Sequence, residues 1–182
     1  MAKETYEFDF SADDGNWAFL DANIAGGLLN VDYGGWGYRN VDSDWGTGAY
    51  DNFEVEVEAR INEVDDDHQD WYHWVVRIRL NGDSKTINFY YIWGTQQIQI
   101  GYDGDVKAYQ SIDLSDYDWH TVNIRRNGTI FYFSVDGGDE ISWDYGSAKA
   151  LIRIVLEEGW SIGDYDNFKY SWWTDEDFCF VT

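Results

Sequence analysis

The stretch DWHTVNIRRNGTIFYFSVDGG, Asp118 to Gly138, decides the fold. Val122 and Ile124 alternate with Thr121, Asn123 and Arg125, the period-two pattern of a strand with one wet face. Asn127-Gly128 separates this run from a second one. A type I′ turn needs positive φ at both central residues, and Asn-Gly supplies it, so the pattern predicts a hairpin of strands over 119–126 and 129–135. Asp136-Gly137-Gly138 then breaks the chain again.

The same grammar runs outward in both directions. Strands are predicted over 6–10, 17–20, 28–33, 53–61, 72–80, 87–93 and 96–102 before the hairpin, and over 140–143, 151–157 and 167–173 after it. No stretch sustains a 3.6-residue period, and no segment has the composition of a linker. About a dozen short strands in one domain spanning 1–182 imply an all-β fold, a two-sheet antiparallel β-sandwich or jelly roll. Tyr-Asp-Asn-Phe occurs at 50–53 and again at 165–168. The flanks differ, so it is read as two similar strand starts and not as a duplication.

Composition narrows the function classes. The chain has 182 residues, a net charge of -23, 19% aromatic residues, no proline and one cysteine, Cys179. So many aromatics speak for a folded protein and against an acidic disordered tail. A lone cysteine excludes an internal disulfide framework. Nucleic acid needs clustered Lys and Arg and is excluded as a partner; anionic membrane surfaces are disfavoured for the same reason. The N-terminus MAKETYEFDF has no apolar signal region, and no run is long enough to insert into a bilayer. An extracellular, cell-surface or virion setting, rich in cations, would relieve the self-repulsion of so acidic a surface.

Three segments carry a resemblance. The opening YEFDFSADDGNWAFLDANIAGGLLNV, the hairpin segment at 118–138 and the closing GDYDNFKYS follow one another as in the concanavalin A-like, laminin-G-like jelly-roll superfamily. The resemblance implies a concanavalin A-like sandwich; the superfamily holds lectins, carbohydrate-binding modules, glycosidases, lyases and adhesion or virion domains.

Glu54, Glu56 and Glu58 fall at every second position of FEVEVEARI. They match the spacing of the Glu-x-Asp-x-Glu strand of family 16 glycoside hydrolases, except that Glu56 stands where those enzymes have Asp. A retaining pair also needs one carboxyl held protonated in an apolar pocket, and nothing here supplies one. Arg77, Arg79, Arg125 and Arg153 occupy outward positions of other strands, so cross-strand Glu–Arg pairs on an outer face are the simpler expectation.

Eleven tryptophans point to sugar, because indole faces stack on the C–H faces of pyranose rings while neighbouring polar groups bond the hydroxyls. Trp74 and Trp93 fall on core parity. Candidate ligand contacts are Trp36, Trp45, Trp71, His73, Arg77, Tyr132 and Trp160. Asn40, Asp42, Asp44 and Asp51 space oxygen ligands somewhat like a calcium loop, although Trp45 stands where an EF-hand has Gly. Related modules place a calcium-binding Asp where Asp164 and Asp166 enter the last strand. The expected cofactor is therefore a structural Ca²⁺. His68, His73 and His120 lack zinc spacing.

The resulting expectation is a non-catalytic module that binds a glycan or cell-surface polysaccharide. The alternative is a structural protein, a virion decoration or adhesion subunit, that forms a homo-oligomer or meets an assembly partner through its tail at Phe178, Phe180 and Val181. A glycosidase or lyase using the glutamate row ranks third.

Overall fold

A computed structural model describes residues 3–40 and 52–173, the side chains of 38–40 excepted. The expected features at Asp42, Asp44, Trp45, Asp51 and the tail 178–182 lie outside the described residues. The described chain is built of strands: β1 (Lys3–Phe8), β2 (Ala18–Ala25), β3 (Leu28–Asn40), β4 (Phe53–Val64) and β5 (Tyr72–Leu80). They continue as β6 (Thr86–Ile92), β7 (Gln97–Tyr102), β8 (Asp105–Ser111), β9 (His120–Asn127) and β10 (Ile130–Val135). β11 (Ile141–Asp144), β12 (Leu151–Glu158) and β13 (Ser161–Trp173) complete them, with a 3₁₀ turn at Asp66–His68 before β5. Among the described residues no helix is long and apolar enough to cross a membrane.

All pairings are antiparallel, in the order β11-β10-β9-β4-β13-β3-β12-β5-β6-β7-β8, with β1 beside β13 and β2 beside β3. β3 and β13 have 13 residues each and pair only over Leu29–Val31 and Gly163–Tyr165. Beyond that crossing each strand runs into a different layer, β3 against β12 and β13 against β4. The ladder thus folds over into the expected sandwich. A back layer centres on β4, β9 and β10; a front layer centres on β12, β5, β6 and β7. Aromatic rings join the layers: Trp74 meets Phe133 edge-on at 6.3 Å, and Phe89 meets Phe131 at 5.9 Å and Phe133 at 5.6 Å.

In β4 the alternation is complete. Phe53, Val55, Val57 and Ala59 are fully buried, and the glutamates face outward on the back layer. Lys3 and Asn123 donate to Glu54, Lys169 to Glu56 and Asn167 to Glu58. The partners differ from the expected arginines. Arg125 lies opposite Glu54 in register, yet its Nε and Nη2 fork onto Glu140 at 2.8 and 2.7 Å. Two parallel N–H···O bonds to one carboxylate are the strongest pairing a planar guanidinium makes.

One turn reading is corrected and one strand is added. β9 and β10 pair Asn127 with Ile130, so the two-residue loop is Gly128-Thr129, with positive φ at Gly128 alone, as in a type II′ turn. The Asn52 side chain accepts the Gly128 amide and holds this shifted register. β8 was not expected, because DVKAYQS lacks apolar alternation and lies exposed at the sheet edge. Its signal was Asp103-Gly104, both at positive φ between the paired Tyr102 and Asp105: a type I′ hairpin.

Replacing Phe133 by Ala removes ring contacts to both Trp74 and Phe89, with an expected loss of about 3–5 kcal/mol of unfolding free energy. Glu56→Ala, on the wet face, should cost under about 1 kcal/mol. Denaturant titration of both variants checks the contrast, and comparable losses would contradict this placement of the two faces.

Candidate functional site: a groove across the front layer

The outward face of the front layer is organised in rows by its register. One row runs Trp36, Glu157, Val75, Tyr90, Gln99 from β3 to β7. The next runs Val155, Arg77, Asn88, Gly101, and a third brings Arg153, Arg79 and Thr86 together. Directly opposed residues of an antiparallel pair share a face, so each row is a line of neighbouring side chains. Four strand steps at about 4.8 Å carry the first row across roughly 19 Å.

Two adjoining hollows sit on these rows and share Tyr72 and Arg77. One, of about 310 Å³, extends past Trp71 and Tyr90 to Gly101 and Asp105. The other, of about 400 Å³, reaches Trp36, Arg79 and Arg153. Gly101 matters here: a Cβ at that position would stand 2.9 Å from the ring of Tyr90, so only glycine lets the ring lie across β7. The Tyr90 hydroxyl donates to Gln99 Oε1 at 2.9 Å, and burial raises its pKa. Tyr72 meets Tyr90 edge-on at 6.1 Å. At the groove's end Trp160 stacks on His68 at 3.8 Å, and Trp71, 54% exposed, stands across both rings.

Glu157 is the ionisable centre. Only 8% of it is exposed, and Arg77 Nη2 donates to its Oε1 at 2.5 Å. Burial lifts its carboxyl to about 7, against the opposing pull of Arg77. Its position is set from the core. The Tyr165 hydroxyl, on β13, donates to the Glu157 carbonyl at 2.6 Å and accepts the Val75 amide at 3.2 Å, locking β12 to β5 at this step. The adjacent Glu158 points inward and is fully buried. Ser161 donates to its Oε2, Oε1 has no hydrogen-bond partner, and Gly163 leaves the room it occupies.

Of the expected contact residues, Trp36, Trp71 and Arg77 meet in the groove, and Trp160 supports Trp71. His73 does not reach the surface: it is fully buried, bonded to the Gln69 carbonyl, and burial lowers its pKa. A bulge between Tyr72 and Val75 alters the parity that would have turned it outward. Tyr132 lies on the back layer under the Arg125 guanidinium at 3.7 Å. Tyr90, Gln99 and Glu157 add to these residues and follow from strand parity once the front layer is assembled, whereas Tyr72, of core parity, reaches the groove through the same bulge.

The Asp164 carboxylate already accepts Arg60 at 2.6 Å and Asn62 at 2.9 Å, and Asp166 accepts the Asn167 amide at 2.7 Å. Among the described residues no three acidic, His or Cys side chains gather as a metal set. Asp164 is thus already paired with a cation of the chain itself, Arg60.

No family model matches the chain, and no curated protein matches its sequence. Solved structures do match its fold. The winged bean acidic lectin complexed with methyl-α-D-galactose shares 12% identity at TM-score 0.66, covering 96% of this chain and all of that one. SCLam, a non-specific endo-β-1,3(4)-glucanase from family GH16, shares 11% identity at TM-score 0.67, covering 93% and 91%. The Bacillus licheniformis β-glucanase shares 11% at TM-score 0.63, covering 93% and 98%. The fold is that of the concanavalin A-like jelly roll, as the sequence resemblance implied. The expectation of a non-catalytic chain is corrected, because glycoside hydrolases stand beside lectins among the similar structures.

The buried carboxyls have a consequence for stability. Burial lifts Glu158 to about 8, so the folded chain keeps a proton that the unfolded chain releases above the ordinary carboxylate range. Its favourable effect is complete below about pH 4.5 and is lost as pH rises through about 8. Thermal unfolding should show the melting temperature falling across that window, and the neutral isostere Glu158→Gln should flatten the fall. An identical slope in the variant would contradict the assignment.

Proposed function

We propose that this chain binds a polysaccharide along the front-layer groove. The observation that carries the reading is the register row itself. It places Trp36, Glu157, Tyr90 and Gln99 in line, with Tyr72 and Trp71 beside them, so aromatic faces alternate with hydrogen-bonding groups over roughly 19 Å. A groove of this length suits several successive sugar rings better than a single one. The same fold in a lectin complexed with methyl-α-D-galactose and in an endo-β-1,3(4)-glucanase lends support.

Trp36→Ala and Trp71→Ala should each weaken binding to a glycan found by array screening by about tenfold or more, the size of a lost aromatic anchor. Tyr132→Ala, on the other layer, should leave binding unchanged. Calorimetric titration checks all three, and equal loss in Tyr132→Ala would move the site off the groove. Repeating the titration with chelator tests the calcium expected at Asp42, Asp44 and Asp51. The assembly reading rests on the tail 178–182 and is tested by removing it and measuring oligomeric state.

A second reading, hydrolysis of the bound chain, is favoured by one observation: a groove carboxyl raised to about 7 is matched to proton donation near neutral pH. Reducing-end release from the bound glycan, abolished in Glu157→Gln with binding retained, is the expected sign. Release that persists in Glu157→Gln would exclude Glu157 as the acid.

A further inference from the structure

The groove is a cationic island on an acidic protein. The chain carries 35 acidic and 12 basic residues, yet three of its seven arginines, Arg77, Arg79 and Arg153, line one section of the groove. Elsewhere most described cations sit on carboxylates, among them Lys3 on Glu54, Arg60 on Asp164, Lys85 on Asp103, Arg125 on Glu140 and Lys169 on Glu56, while the buried Arg126 is held by the carbonyls of Gly128, Ser147 and Lys149.

Structural pairing accounts for Arg77, which reaches Glu157. It does not account for Arg79. That side chain has no ion-pair partner among the described residues, and the register sets it directly opposite Arg153. Like charges opposed across an antiparallel pair are destabilising. A fold with such an excess of acidic residues had ample means to pair Arg79 with a carboxylate and left it facing the groove. Near neutral pH the compensation of Arg77 is also incomplete, because burial keeps part of the Glu157 population protonated.

We propose that the groove's ligand is an anionic polysaccharide, a chain of pyranose units bearing carboxylate or sulfate groups, with Arg79 as the main anion contact flanked by Arg77 and Arg153. This rests on the reading of the groove as a glycan site. Guanidinium presents a planar fork that matches the two oxygens of a carboxylate or sulfate, and Trp36 and Tyr72 offer ring faces alongside. The remaining negative charge of the protein is screened beyond about 8 Å at physiological salt, so recognition is made by contact at these arginines and not by the field of the whole molecule.

The test is calorimetric titration at physiological salt with three oligosaccharide sets: oligogalacturonates, sulfated galactan oligomers, and neutral gluco-oligosaccharides. The intact chain, Arg79→Gln, Arg79→Lys and Trp36→Ala are compared, with melting temperatures recorded. The expected result is preference for one of the two anionic sets, and which one it is separates carboxylate from sulfate. Arg79→Gln should weaken that binding about tenfold or more, Arg79→Lys less, as for loss of one charge-assisted hydrogen bond, with no fall in melting temperature and a slight rise in Arg79→Gln as the like-charge pair is relieved. Preference for neutral oligomers, or indifference to Arg79→Gln, overturns the anionic assignment and leaves the groove reading intact. Anionic binding that Trp36→Ala and Arg79→Gln both leave unchanged overturns the two together, as does failure of all three sets to bind.

Discussion

The two thirteen-residue strands β3 and β13 are the constraint on which the rest of the molecule depends. They share only a short crossing, and each then leaves for a different layer. Because the ladder is continuous through that crossing, backbone groups stay paired while the sheet turns over on itself. The turn brings two apolar faces together, and the rings of Trp74, Phe89, Phe131 and Phe133 fill the space between them. It also leaves two outward faces of different character.

Those outward faces show how one alternating pattern serves two ends. On the back layer the glutamate row is matched by Lys3, Lys169, Asn123 and Asn167, and the arginine nearby is committed to Glu140. In the front-layer groove section around Arg77, Arg79 and Arg153 arginines outnumber carboxylates, Tyr90 lies across a glycine, and burial raises the central carboxyl to about 7. The core hydroxyl of Tyr165 connects the two roles, since it fixes the backbone at Glu157 from within the sandwich. The second Tyr-Asp-Asn-Phe motif thereby has a specific task in positioning the groove.

Strand identity was legible wherever apolar residues alternated. β5 was expected over the same residues it occupies, and β4 and β10 differ from expectation only at their ends. The edge strand β8 was not legible, because an edge buries little and its residues need not alternate. Turn position was legible only to within a residue. Asn127-Gly128 marked the hairpin, but the side chain of Asn52, distant in sequence, helps hold the loop at Gly128-Thr129. His73 was misplaced for a related reason: a bulge shifts parity, and a bulge leaves no mark in the alternation of its own strand.

By itself the sequence determined the all-β class, the jelly-roll resemblance, the separation of core from wet positions and the richness in aromatics suited to sugar. These depend on period and composition, which are local properties. Which wet face became a groove was decided only by the tertiary structure. Trp36, Arg77, Tyr90 and Glu157 lie on four strands spread over more than 120 positions, and they become neighbours only through the order β3-β12-β5-β6. The order of strands in a sheet follows from packing between layers, and no pattern within a single strand records it.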